Sequence, residues 1–178
     1  KEIYGADYVF ARAQRAKTCV PTGHFSVHSG LALGFANRQV DLVSLVETLE
    51  HLEDPQEALR EAARVSKRYV LVTVPYREDL SVHMSVCPNC LHRFHTSGHL
   101  HMFDEQRIAG LFRLAGLRIL RMQVQCYLRI FERHPVGSKL PKPLVEWVQE
   151  MVRRSGLIDG LYLGVLGERA DVTARPLP

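Results

Sequence analysis

With 178 residues, 46% of them hydrophobic and 24% charged, the chain has the size and balance of one domain with its own core, and it is neither fibrous nor disordered in composition. No apolar run approaches the roughly 18 residues that span a bilayer. The opening Lys-Glu-Ile-Tyr-Gly-Ala-Asp lacks signal-peptide architecture, and a net charge of +4 permits an anionic partner such as nucleic acid without calling for one. Four cysteines, two of them in a Cys-x-x-Cys, suit a reducing, cytoplasmic setting and a metal site better than a disulfide framework.

In chain order, Glu2 to Asp7 reads as the end of a strand that closes on an acidic residue. Tyr8 to Lys17 is expected to be helical, favoured by Ala11, Ala13 and Ala16, with Asp7 also suited to be its N-cap. Phe25 to Leu33 is a candidate strand with imperfect alternation; Gly30 and Gly34 read as turn glycines. Val40 to Val46 is a short, valine-rich apolar run, the pattern of a buried strand. Glu47, Glu50 and His51 follow at once, then a stop at Asp54-Pro55. A carboxylate cluster straight after a buried strand lies where open α/β sheets take their ligands.

Asp54 as cap and Pro55 in the first turn predict a helix to Ser66, with Ala58, Leu59, Ala62 and Val65 as its apolar stripe. Tyr69 to Val74, ended by Pro75, is the next buried strand, so a parallel βαβ unit with a right-handed crossover is expected. Arg77 to Met102 breaks the pattern as a polar loop. Helical periodicity returns from Asp104 to Ala115 and stops at Gly116. Leu117 to Tyr127 alternates as a strand, Pro135 to Pro143 is a loop, Leu144 to Arg154 is a helix carrying Trp147, and Tyr162 to Gly167 is a final strand. The reading is one domain over 1–170 with a loose tail over 171–178.

Two groups of residues carry metal chemistry. Cys87-x2-Cys90-x4-His95-x3-His99 offers two thiols and two imidazoles in a short polar loop, the donor set of a tetrahedral zinc site. His101, His92 or His83 could replace either histidine. Such an ion would order a loop with little apolar content. A thioredoxin-like role is not expected, because no helix opens at Cys87 to lower its pKa. Separately, Glu47 and Glu50-His51 have the spacing that brings side chains to one helix face, where two carboxylates and an imidazole could hold a divalent ion.

The run from Gln39 to Pro55 resembles the middle of class I S-adenosylmethionine-dependent methyltransferases. There the fourth strand reads roughly "fDlV" and leads into "evlEHl.dP"; Asp41-Leu42-Val43 and Glu47 to Pro55 stand at those positions. The resemblance covers most of the chain. It implies an α/β, Rossmann-like sheet, mostly parallel with an antiparallel last strand between its neighbours, and helices on both faces. It implies S-adenosylmethionine as cofactor, with Asp7 on the ribose hydroxyls and Ser29, Gly30 and Leu31 near the adenine; Ser29 stands where an acid is usual. Leu33-Gly34-Phe35 matches the family's following turn. The family's first strand and Gly-rich loop would lie N-terminal to Lys1, and no Gly-x-Gly-x-x-Gly occurs in these residues.

A similar Cys-x-x-Cys…His insertion after the fifth strand in some bacterial members implies a structural zinc on Cys87, Cys90, His95 and His99. In metal-dependent O-methyltransferases of small-RNA 3′ ends, and in ubiquinone-pathway enzymes, a similar Glu-x-x-Glu-His pairs with a later histidine, here His99 or His101. His51 is the expected general base, since imidazole titrates near neutral pH, with Glu47 orienting it or touching the acceptor. Three functions therefore stand as expectations. The first is a methyltransferase with a structural zinc loop and an open acceptor class. The second is a non-catalytic binding module, and the third a divalent-metal-assisted O-methyltransferase of RNA or of a small hydroxylated acceptor. The residues leave the oligomeric state open.

Overall fold

The computed structural model of the protein describes residues 2–126 and 161–171. The expected loop Pro135–Pro143, the helix Leu144–Arg154 and the tail beyond Asp171 lie outside these residues. Strand β1 (Tyr4–Asp7) pairs in parallel with β2 (His24–Val27), and helix α1 (Phe10–Cys19) connects them. Helix α1 starts later than the alanine pattern suggested. Its N-cap is Val9, without a side-chain cap. Asp7 is not the cap; its Oδ1 accepts from the Val9 N–H at 2.8 Å in a turn ahead of the helix.

Strand β2 ends at Val27 and does not continue to Leu33. The Ser29 hydroxyl accepts from Leu31 N–H at 3.2 Å, and the Ser29 carbonyl accepts from Ala32 N–H at 3.1 Å. These local bonds offer the backbone a turn in place of a ladder.

Next come β3 (Val40–Val46), a 3-10 turn (Leu49–His51), α2 (Pro55–Val65) and β4 (Ser66–Pro75), with β3 and β4 parallel. This is the βαβ unit that the sequence predicts. Asp54 caps α2 by accepting from Glu57 N–H at 2.9 Å. Ala58, Leu59 and Ala62 are fully buried beneath it. Arg64, at the end of α2, donates to the carbonyls of Leu33 and Phe35, each at 2.9 Å, and to Asn37 Oδ1 at 2.7 Å. Its partner Glu61 accepts from Leu33 N–H at 3.0 Å. The pair fastens the chain between β2 and β3 onto α2.

The polar loop after β4 is not irregular throughout. It contains an antiparallel hairpin of β5 (Met84–Val86) and β6 (Arg93–His95). Helix α3 (Glu105–Leu114) follows, capped by Asp104 and ended at Gly116, whose φ of +70° suits glycine. Then come β7 (Leu117–Cys126) and β8 (Leu161–Arg169). The four-stranded sheet runs β3-β4-β8-β7, and β8 is antiparallel to both neighbours, as the resemblance implies.

The core sits between this sheet and helices α2 and α3. Val70, Val72 and Val74 of β4, Leu163 and Val165 of β8, and Phe103, Ile108 and Phe112 are fully buried. A Cβ on Gly167 would lie 2.6 Å from Phe112 Cε1, so the glycine makes room for that ring. At the next residue of β8, Glu168 accepts from Arg68 at 2.7 Å and Arg118 at 2.6 Å, tying β8 to β4 and β7. Asp171, assigned to the loose tail by its sequence position, is gripped by Arg169, at 2.9 Å through each oxygen, and by Arg38. Among the described residues no helix is long and apolar enough to cross a membrane.

Candidate functional site

The ends of β3 and β4 open onto a cluster of carboxylates and imidazoles. Glu47, with φ +47°, bonds back to β4: its N–H donates to the Thr73 carbonyl at 3.0 Å and its Oε1 accepts from the Thr73 hydroxyl at 3.0 Å. The 3-10 turn then carries Glu50 inward and His51 outward.

Glu50 is completely buried, and neither carboxylate oxygen has a hydrogen-bond partner in another residue. Burial pushes its carboxyl up to about 7, and the charges of Glu47 and Glu78 add to the push. A buried carboxylate without a partner is costly, and a cation or a proton removes that cost.

Three histidines lie near it, and their hydrogen bonds fix which nitrogen is free. His51 Nδ1 is 3.2 Å from the Gly98 carbonyl oxygen. A carbonyl only accepts, so Nδ1 holds the proton and Nε2 keeps its lone pair. His99 Nδ1 is 2.5 Å from Glu78 Oε2, which likewise leaves Nε2 free. Each of Glu50, His51 and His99 offers a ligand atom, and these atoms lie within 4.8 Å of one another. The His51 and His99 rings are 4.8 Å apart and close to perpendicular. His101 is different: Nε2 donates to the Leu52 carbonyl at 2.9 Å, and Nδ1 accepts from Arg107 at 3.0 Å. With both nitrogens engaged, His101 stands outside the group formed by Glu50, His51 and His99.

The predicted zinc set is not assembled. His95 and His99 group with Glu78, and among the described residues no set of three close ligand atoms contains a thiol. The hairpin explains why. Cys87 and Cys90 lie in its turn, while His95 closes β6 at the far end, opposite Met84. Three strand residues carry the chain about 10 Å from the tip. Within the turn the Cys87 thiol is held below its ordinary pKa by the Cys90 and Asn89 N–H groups and by the Cys90 thiol. Both cysteines are free.

The residues expected at a cofactor occupy the ends of β1 and β2. Asp7 is half-buried at the last position of β1, and its carbonyl accepts from His28 N–H at 3.2 Å. Ser29 closes its turn, and Leu31 packs against the core. A Cβ on Gly30 would come 3.1 Å from Leu52 Cδ1, so this turn abuts the residue that follows His51. Glu78 and the Arg64 clamp were not singled out in the sequence. Glu78 is a lone carboxylate in a polar loop, with no spacing to mark it.

The model of a methyltransferase domain family matches residues 1–122, and the chain belongs to that family. No curated protein matches it. Among solved structures, a Haloferax volcanii methyltransferase in complex with the activator Trm112 superposes with a TM-score of 0.65 at 22% identity, covering 98% of this chain and 74% of that one. A Methanosarcina mazei S-adenosylmethionine-dependent methyltransferase gives 0.64 at 13%, covering 94% and 82%. The [4+2]-cyclase SpnF gives 0.63 at 15%, covering 94% and 66%. These likenesses establish the fold, that of S-adenosylmethionine-dependent methyltransferases. The cyclase is a reminder that chemistry has to be argued from the site.

Proposed function

We propose that this protein transfers a methyl group from S-adenosylmethionine to a hydroxyl-bearing acceptor, and that Glu50, His51 and His99 hold a divalent ion at the acceptor end of the site. The observation that carries the reading is Glu50, buried without a partner beside two imidazoles whose Nε2 lone pairs are free. Two imidazoles and one carboxylate, with the remaining positions open, form a donor set used for catalytic divalent ions. Backbone and carboxylate acceptors behind the two Nδ1–H groups supply the usual support of metal-bound histidines.

The cofactor, when bound, supplies an activated methyl on a sulfonium. Asp7 would use Oδ2 for a ribose hydroxyl while Oδ1 holds the turn. At the acceptor end, Glu50, His51 and His99 would orient a hydroxyl in line with the methyl and lower its pKa through the ion. Cys87 and Cys90 take no part. A metal-free variant of the reading uses the same geometry: His51 is exposed, and its free Nε2 takes the acceptor's proton directly.

Chelation separates the two. Methyl transfer to a panel of catechols, sugars and RNA 3′ ends is measured with and without Mn²⁺, alongside calorimetric titration of S-adenosylhomocysteine. The expected result is metal-dependent transfer that falls about 100-fold or more in Glu50→Ala while S-adenosylhomocysteine still binds. Transfer that survives complete chelation and is lost in His51→Ala leaves His51 as base and removes the ion. Absence of S-adenosylhomocysteine binding would favour a non-catalytic module, or the acceptor side of a longer enzyme, over both readings.

A further inference from the structure

We infer that Glu78 and His95 are positioning residues that fix the tautomer and ring plane of His99, so that its Nε2 lone pair faces the site. The role of this support depends on the proposed ion site; its geometry does not.

A histidine ring in water favours the proton on Nε2, the wrong tautomer for ligation through that atom. Glu78 Oε2, 2.5 Å from His99 Nδ1, draws the proton to the other side of the ring. The pair is well shielded, with side chains 14% and 19% exposed, so the carboxylate acts at low dielectric.

His95 supports the carboxylate. Its Nδ1 accepts from the His99 N–H at 3.2 Å, so the neutral ring carries its proton on Nε2. That Nε2 is buried, has no hydrogen-bond partner, and lies 3.9 Å from Glu78 Oε1. Closing that gap to about 3.0 Å makes an ordinary hydrogen bond. The His95 ring is also stacked on His99 at 4.9 Å and 23° between planes, which limits rotation of the ligand ring.

The same protons argue against a second ion among Glu78, His95 and His99, although their ligand atoms are close. His95 has one lone pair already engaged and a proton on the other nitrogen. Glu78 bonds His99 Nδ1–H and has His95 Nε2–H 3.9 Å behind it, an arrangement of supports and not a ligand set.

The backbone delivers these groups together. Arg77, at φ +51°, turns the chain after β4, and its N–H donates to the Phe103 carbonyl at 2.7 Å, which sets Glu78 in place. Gly98, at φ +71°, folds the chain between His95 and His99, and its N–H donates to the His95 carbonyl at 2.8 Å. The Gly98 carbonyl then receives His51 Nδ1–H. This tight turn therefore presents His99 and braces His51, with Glu78 behind the first and the Gly98 carbonyl behind the second.

The test reads the tautomer directly. Nitrogen-15 NMR of metal-free protein is expected to show His99 protonated on Nδ1 at neutral pH. In Glu78→Ala the ring is expected to change to the Nε2–H form, with Glu78→Gln, which keeps an acceptor oxygen, retaining most of the original form. Mn²⁺ affinity, followed on the same samples, is expected to fall about 10- to 100-fold in Glu78→Ala and less in Glu78→Gln. Dispersed amide spectra check that each variant is folded, and His95→Gln serves as the second probe. An Nε2–H His99 in the wild type, or a tautomer indifferent to Glu78, overturns the inference even if Mn²⁺ binds. A tautomer that follows Glu78 in a protein that binds no Mn²⁺ upholds the support and removes the ion.

Discussion

Helix α2 and the 3-10 turn just ahead of it belong to one βαβ unit yet treat polar atoms in opposite ways. The helix buries Ala58, Leu59 and Ala62 and leaves its charged residues paired, as in Glu57–Arg60 and Glu61–Arg64. The turn buries Leu49 in the same core but also Glu50, whose carboxylate has no partner. The first arrangement is what stability alone produces. The second costs stability, so the position is explained by what it does and not by what it holds together.

Mutations in the apolar core under the helices and at Glu50 in the turn should therefore move stability in opposite directions. The largest effect is expected from Phe112→Ala, which empties the space beside Gly167: a loss of about 3 to 5 kcal/mol in urea unfolding. A loss below about 1 kcal/mol would mean that the core collapses around the gap. Glu50→Met keeps the volume and removes the buried carboxylate. Here a gain of about 1 to 3 kcal/mol in the metal-free protein is expected, together with complete loss of any Mn²⁺ response. If the Glu50→Met variant is instead less stable than the parent, Glu50 is structural after all. Asp54→Ala, which removes the α2 cap, should cost about 1 kcal/mol, read from the same urea curves.

The smallest effect concerns pH. Arg68 and then Arg118 hold the Glu168 carboxyl below its ordinary value of 4.5. A lowered carboxyl stabilises the fold above the unfolded value and loses that contribution as pH falls through the folded one. Stability should decline below about pH 4.5, and Glu168→Gln should flatten that decline. An unchanged acid slope in the variant would assign the loss to other carboxylates.

Much of the sheet was legible because its signals are local. Asp54-Pro55 and the stripe of α2, the valines of β4, and the stop at Gly116 each announce an element within a few residues. The motif around Glu50-His51 was legible in the same way. What was hidden depends on partners far along the chain. Glu78 meets His99 through the hairpin, and Arg64 reaches back to Leu33, Phe35 and Asn37. The zinc expectation finds no support in the geometry for a related reason. Linear spacing placed Cys87 and His95 close, whereas β6 carries one away from the other. The end of β2 was overrun because the Ser29 side chain competes with the ladder, an effect apolar alternation does not register.

The placement of β8 also bears on how the molecule assembles. This strand lies between β4 and β7, yet it starts at Leu161, well after both in the chain. Until it arrives, β4 and β7 each present an open edge, and Val72 and Val74 lack the cover of Leu163 and Val165. Loop closure on that scale slows folding, and open apolar edges invite pairing with other chains. During synthesis the interior of the sheet is therefore the last part to be sealed. A chaperone that shields the edge of β4, or faster translation between β7 and β8, should raise the yield of soluble protein.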